Sequence, residues 1–255
     1  MSRVIVITGA SEGIGALLAK RQAAKGDAVV LAARRGEKLE QVAKECGGST
    51  LSVVTDATKR AEIDRLRDAA LARFGRIDVW INNAGRGIGI RVMDITEDDL
   101  DEMLAVNLKS AWYGMKAAVP YFQEVGRGHL INISSVLARV PLATPRSAYS
   151  ASKAALNALT ANLRMDLRAS HPAIHVSLVM PGPVATEFHN NSLGGTPTGR
   201  GMAIQPVEEV VQAIEHLIDN PRPEIYTNPT SAELVQRYYR DVSAFEDELA
   251  AKMKT

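Results

Sequence analysis

Short runs of branched and apolar residues alternate with longer stretches of helical composition along almost the whole chain, and no other feature limits the fold so strongly. The runs lie at 3–8, 28–33, 50–55, 78–82, 128–133, 174–180 and 224–227. The helical stretches lie near 13–25, 37–46, 59–73, 97–125, 149–170, 206–219 and 230–252. Val29-Val30-Leu31-Ala32-Ala33 shows no polar/apolar alternation, so a strand made from it must be covered on both faces. Strand and helix in turn imply parallel strands joined by right-handed helical crossovers. The fold predicted is a doubly wound, three-layer α/β sandwich with a mostly parallel seven-stranded sheet, one domain over 1–255.

Composition narrows the partners. A net charge of +1 gives no electrostatic case for nucleic acid or a membrane surface. The apolar start, Val4 to Ile7, is too short for a signal peptide's core, and no apolar run approaches the length of a membrane span. Cys46 is the only cysteine, which excludes an internal disulfide or a cysteine-based zinc site and favours a reducing, cytoplasmic setting. His171 and His175 are separated by Pro172 where a strand begins, so no metal site is expected there. Thr96 is expected to cap the helix over 97–125, Pro120 to kink it, and Trp80 and Trp112 to join the core. That helix and the one over 149–170 are apolar round most of their circumference. A second cover is then needed, and a homo-oligomer, dimer or tetramer, through these two helices is expected ahead of a purely internal contact. Residues 187–205 are rich in glycine and poor in large apolar groups, and are expected to form a mobile loop over a substrate site. The polar C-terminal helix could close that site or bind a neighbour.

Residues 8–15, TGASEGIG, allow two readings. Gly9-Ala10-Ser11-Glu12-Gly13 matches the nucleophile elbow of serine hydrolases, but almost no chain precedes the first strand to supply oxyanion donors. As a phosphate cradle the stretch fits its context: strand, glycine loop, helix. Gly9 permits the turn, and Gly13 and Gly15 let the backbone approach a ligand whose pyrophosphate meets the helix N-terminus near Ile14. Ser11 is then a turn residue near the phosphates. The second strand ends in Arg34-Arg35 with no carboxylate to accept from a ribose, so these guanidinium groups, Arg34 first, suit the 2′-phosphate of NADP(H). Tyr149 and Lys153 stand four apart on a predicted helix and share a face. A neighbouring ammonium favours the phenolate and brings tyrosine, titrating near ~10 when free, towards a useful acid/base range.

Together these motifs resemble the compact, single-domain branch of the short-chain dehydrogenase/reductase family, a Rossmann-like group. Its T-G-x-x-x-G-x-G is matched by Thr8, Gly9, Gly13 and Gly15; its N-N-A-G by Asn82, Asn83, Ala84 and Gly85; its Tyr-x-x-x-Lys by Tyr149 and Lys153. The family asparagine falls at Asn107, its serine at Ser135 with Ser134 as a rival, and its P-G segment at Pro181-Gly182 with a threonine at Thr186. The resemblance implies that Tyr149 exchanges a proton with a carbonyl or alcohol while Ser135 hydrogen-bonds the same oxygen. Lys153 holds a ribose and depresses the tyrosine, and Asn107 supports a water. Asp56 meets the adenine, Asn83, Ala84, Gly85, Pro181 and Gly182 line the cofactor, and Thr186 meets the nicotinamide. Glu12 departs from the pattern, standing where many NADP-using relatives carry a base. The expected activity is hydride transfer between NADP(H) and a small carbonyl or alcohol. The alternative is an NADP(H)-binding regulator or scaffold with little catalysis. Of the residues that would shape a substrate pocket, Gly87 and Gly89 imply space or mobility, and Met93, Leu137 and Phe188 an apolar lining.

Overall fold

The computed structural model of the protein describes residues 2–142, 145–188, 192–194 and 204–253. Among them the apolar runs become seven strands of one sheet: β1 (Val4–Thr8), β2 (Ala28–Ala33), β3 (Thr50–Val54), β4 (Val79–Asn82), β5 (Gly128–Ile133), β6 (Ile174–Met180) and β7 (Glu224–Tyr226). Their order is β3-β2-β1-β4-β5-β6-β7. Every pairing is parallel, so the sheet is wholly rather than mostly parallel. Helices α1 (Gly13–Ala24), α2 (Gly36–Cys46) and α3 (Arg60–Phe74) follow the first three strands. Then come α4 (Glu97–Leu104), α5 (Ser110–Val125), α6 (Ser147–Arg168), α7 (Val207–Asp219), α8 (Thr230–Arg240) and α9 (Val242–Met253).

Alternation along each strand distributes the helices. Ile5 and Ile7 of β1 pack in one buried cluster with Leu18 of α1, Leu39 of α2, and Val210 and Ile214 of α7. Val4 and Val6 of the same strand belong to the opposite cluster, with Leu66 of α3, Phe122 of α5 and Leu156 of α6. A chain with apolar residues at both parities must bury both faces, and the three layers follow. No helix among the described residues is long and apolar enough to cross a membrane.

One polar chain runs through the second layer. Trp80 Nε1 donates to Asn82 Oδ1 at 2.9 Å, Asn82 Nδ2 donates to Asn132 Oδ1 at 2.8 Å and to the Ala111 carbonyl at 3.1 Å, and Asn132 Nδ2 donates to Thr160 Oγ1 at 2.9 Å. These groups are buried, so each bond left unmade would carry its full desolvation cost. Gly114 makes the approach of α5 possible: a Cβ there would lie 2.0 Å from Asn82 Oδ1.

Several expectations are corrected. Trp80 is fully buried, but Trp112 is 43 % exposed. Ala111, Met115 and Phe122 turn towards the sheet, and one residue on from Ala111 the helix has rotated Trp112 away. The stretch 97–125 begins with the expected cap, a reciprocal Thr96–Asp99 capping box. It then passes through a π-helical turn at Ala105–Lys109 that the sequence did not signal. The stretch 230–252 is two helices, parted at an extended Asp241. Of the expected mobile loop 187–205, residues 189–191 and 195–203 lie outside the described residues; Leu193 and Gln205 pair with Gly87, Gly89 and Pro183 through backbone hydrogen bonds.

Gly114→Ala is expected to overpack this contact and break the Asn82 bonds. The cost should be about 3 kcal/mol, seen as a thermal midpoint lowered by about 5–10 °C.

Candidate active site

The sheet grows from β1 through β2 to β3, then resumes on the other side of β1 with β4. Loops leaving β1 and β4 diverge, and a crevice opens at the carboxyl ends of the strands. Thr8 and Asn83 tie its floor. Thr8 Oγ1 accepts from the backbone N–H groups of Asn83 and Ala84, at 3.0 and 3.1 Å. Asn83 Nδ2 donates to the carbonyls of Thr8 and Gly9, at 3.0 and 3.1 Å.

Gly9 and Gly13 have φ of 67° and 56°, the left-handed region that favours glycine. A Cβ on Gly9 would also lie 2.9 Å from Ala84 Cα. A Cβ on Gly15 would meet the Gly9 carbonyl oxygen at 2.5 Å and Asn83 Nδ2 at 2.6 Å. Gly15 therefore lets α1 nest on the loop; it does not line the cavity, against expectation. Gly9, Ser11, Gly13 and Ile14 do line it, and α1 begins there with its N–H groups and positive dipole end directed at the opening.

The cavity measures about 1560 Å³ and joins this loop to the predicted catalytic residues. Arg34, Arg35 and Asp56 line it together with the loop. Arg35 donates to Ser11 Oγ at 3.0 Å and pairs with Glu12 at 2.8 Å, with Lys38 3.7 Å from the same carboxylate. Burial works to raise the Glu12 pKa, but these cations outweigh it and hold it below the ordinary value. Glu12 is thus turned onto Arg35. Arg34 makes no hydrogen bond or ion pair with the described residues; its charge, after two bonds from Thr58, helps hold Asp56 low against the effect of burial.

Ser135, Tyr149 and Lys153 meet in the middle, with Asn83, Ala84, Gly85, Pro181, Gly182 and Thr186 around them. Ser134 Oγ donates to Asn157 Oδ1 at 2.6 Å and so is committed to α6. Ser135 accepts from the Leu137 N–H at 3.2 Å and lies within hydrogen-bonding reach of Tyr149. Burial pushes the Tyr149 hydroxyl above its usual value; Ser135 and the charge of Arg146 oppose that. The sequence placed Lys153 in this tuning role, but the lysine ammonium lies 5.9 Å from the ring centre and donates to the Ile133 carbonyl at 2.8 Å. Burial lowers Lys153 itself to about 8. Asn107, carried by the π turn, is fully buried and does not line the cavity. Its amide clamps the Arg86 backbone, accepting at 2.9 Å and donating at 3.0 Å, and so holds the chain next to Gly85 beside Lys153.

Leu137 and Phe188 line the outer end of the cavity, but Met93 is 91 % exposed and does not. Gly87 is a packing glycine rather than a mobile one, because a Cβ there would lie 2.4 Å from Ser192 Oγ. Leu234 and Arg237 of α8, with Phe245, Glu248 and Leu249 of α9, wall one side. Arg237 pairs with Glu248 at 2.9 Å and sits over Phe245. Of the two roles the sequence left open for the C-terminal helix, closing the site or binding a neighbour, this placement fits the first. Arg146 and Arg91, both missed, also line this end.

A doubly wound sheet with a glycine loop at its switch point defines a nucleotide-binding α/β enzyme architecture. The family model for short chain dehydrogenase matches residues 3–194. The chain belongs to the short-chain dehydrogenase family of oxidoreductases. The uncharacterized oxidoreductase YxnA of Bacillus subtilis is 34% identical over 231 residues, covering 88% of this chain but only 65% of its own length. An uncharacterized oxidoreductase of Staphylococcus epidermidis is 30% identical over 86% of this chain and 92% of its own. Among solved structures, a short chain dehydrogenase/reductase from Burkholderia phymatum in complex with NAD is 25% identical, with a TM-score of 0.86 over 95% of each chain. An alcohol dehydrogenase from Thermococcus sibiricus complexed with 5-hydroxy-NADP is 29% identical, with a TM-score of 0.78 over 89% of this chain and 96% of that one.

Proposed function

We propose that the protein is an NADP(H)-dependent reductase or dehydrogenase that interconverts a small carbonyl compound and its alcohol, with Tyr149 as acid/base. The observation that carries this is the convergence of Ser135, Tyr149 and Lys153 within the cavity that begins at the glycine loop. A dinucleotide fits the donor set: helix N-terminal N–H groups for the pyrophosphate, Arg34 at one end, and Lys153 at the other. The solved relatives that carry NAD and 5-hydroxy-NADP support the same reading.

When bound, the nicotinamide supplies or accepts the hydride. The chain's own groups manage the proton and the oxygen. The Tyr149 hydroxyl carries its proton at neutral pH and donates it to a carbonyl oxygen gaining negative charge; burial opposes the phenolate left behind, and the Ser135 hydrogen bond and the charge of Arg146 favour it. The Ser135 hydroxyl, whose oxygen accepts from the Leu137 N–H, donates to the same oxygen. Lys153, placed by the Ile133 carbonyl, holds the ribose hydroxyls, and Asn107 keeps the chain beside it in place. Tyr149→Phe should lower kcat by about 1000-fold while the Kd for NADPH stays within about twofold. Full turnover by that variant would refute the mechanism.

Preference for the phosphorylated cofactor rests on Arg34. Glu12 occupies Arg35 and leaves Arg34 to meet a 2′-phosphate. Fluorescence titration should show Arg34→Glu raising the Kd for NADPH by about 50-fold and that for NADH by less than about threefold. Equal losses would exclude this role.

Trp112 of α5 and Leu159 and Met165 of α6 are exposed apolar side chains on the helices expected to pair, which supports a homo-oligomer. Sedimentation should give a dimer or tetramer, and Trp112→Glu with Met165→Glu should shift it towards monomer. The single cysteine suits a cytoplasmic setting, which cell fractionation would check.

A further inference from the structure

The α8–α9 hairpin lies beyond the residues that match the family model, and its root is fixed to the cavity wall. β7 is the edge strand opposite β3, so the chain leaves the sheet at the other edge from Arg34 and Asp56, which follow β2 and β3. Just past β7, the Thr227 hydroxyl donates to Gln205 Oε1 at 2.7 Å, and the Thr227 carbonyl accepts from Gln205 Nε2 at 2.8 Å. The Gln205 N–H donates to the carbonyl of Pro183, a residue of the cavity wall, at 2.8 Å. Thr227 and Gln205 are both buried, so these bonds give the hairpin a fixed starting point.

Val242, Phe245 and Leu249 follow one another at intervals of three and four and so share a face of α9. Phe245 and Leu249 are half-buried, whereas the other residues from Val242 to Ala251 are exposed. Two contacts with α8 set the Phe245 ring: Tyr238 meets it edge-on with centroids 5.6 Å apart, and Arg237 lies 5.7 Å over it. Arg237 and Glu248, the charged groups of this wall, neutralise each other. Leu234, Phe245 and Leu249 line the cavity and belong to none of the buried apolar clusters of the described residues. Their carbon surface borders open space that also contains the reacting groups. Val136, Leu137 and Leu142, which follow Ser135 in the chain, line the same cavity. At about 1560 Å³ it exceeds the roughly 300–1,000 Å³ of a single ligand site, which leaves room for a second molecule beside a dinucleotide.

We propose that the α8–α9 hairpin is the substrate-selecting wall of the site, with Leu234, Phe245 and Leu249 covering a hydrocarbon group that the substrate carries away from its reacting carbonyl. Covering such a group removes apolar surface of both partners from water, and an uncharged wall exacts no desolvation cost in return. The proposal rests on the carbonyl-reductase reading and narrows it to carbonyl compounds with an apolar body.

The test uses the full chain with saturating NADPH and straight-chain aldehydes from butanal to decanal. For the wild-type protein kcat/KM should rise about threefold with each added methylene until the wall is covered. Phe245→Ala combined with Leu249→Ala should lower kcat/KM for decanal by about 30-fold, chiefly through KM, and that for butanal by less than about threefold. Leu249→Glu, which keeps the Phe245 ring in place, should flatten the series in the same way. A second arm needs no turnover: calorimetric titration of the NADPH-bound protein with octanamide and butanamide. Octanamide binding that the double variant weakens at least tenfold, with no aldehyde reduced, would support the wall and refute the reductase reading. Reduction with kcat/KM independent of chain length, or a rise that survives both variants, would keep that reading and remove the wall. A double variant that sediments as a smaller species and retains the chain-length series would assign this face to a second copy of the chain and overturn the proposal.

Discussion

The ties between Thr8 and Asn83 hold the site together. β1 and β4 pair as far as Ile7 and Ile81, and beyond that point their chains separate. Backbone groups at such a fork lose their sheet partners, and buried ones cannot be left bare. The Thr8 hydroxyl and the Asn83 amide bond them across the fork, fixing the glycine loop against the start of the Asn83–Gly85 segment. Gly9 and Gly15 are required because the loop is held so close that a Cβ would strike Ala84 or the loop's own carbonyl. The glycine pattern is therefore as much a packing condition as a ligand-binding one.

From that floor, α6 organises the rest. One face of it supplies Tyr149 and Lys153 to the cavity, while Leu156 and Leu167 pack beneath the sheet. Asn157 holds Ser134, and Lys153 holds the Ile133 carbonyl, so the end of β5 is pinned to the helix that carries the tyrosine. Burial then acts in opposite senses on two groups of one helix. It keeps the tyrosine proton on and makes the lysine proton easier to lose, because in both cases the neutral form is favoured.

Much of this architecture was legible in the sequence, for identifiable reasons. Continuous runs such as Val29–Ala33 can only be doubly covered strands, and Gly9, Gly13 and Gly15 at a strand-to-helix junction have few other uses. Tyr149 and Lys153 share a face by helical spacing alone. What escaped depends on neighbours remote in sequence. Gly87 looked mobile but is crowded by Ser192, and Trp112 looked like core but faces away from the sheet. The π turn that carries Asn107 has no signature of its own, since one extra residue in a helical turn leaves the composition unchanged.

By itself, then, the sequence determined the order of elements, the two-sided burial of the strands, and which residue types stand at the carboxyl ends of β1, β4 and β5. Local propensity and periodicity suffice for that, because each statement concerns residues a few positions apart. Only the tertiary structure bonded Ser134 to Asn157 and put Ser135 within reach of Tyr149, turned Glu12 onto Arg35, and brought the charge of Arg146 to bear on Tyr149. Those choices are made by contacts and electrostatics across the fold, where burial sets the strength of each charge and nearest neighbours compete for each hydrogen bond.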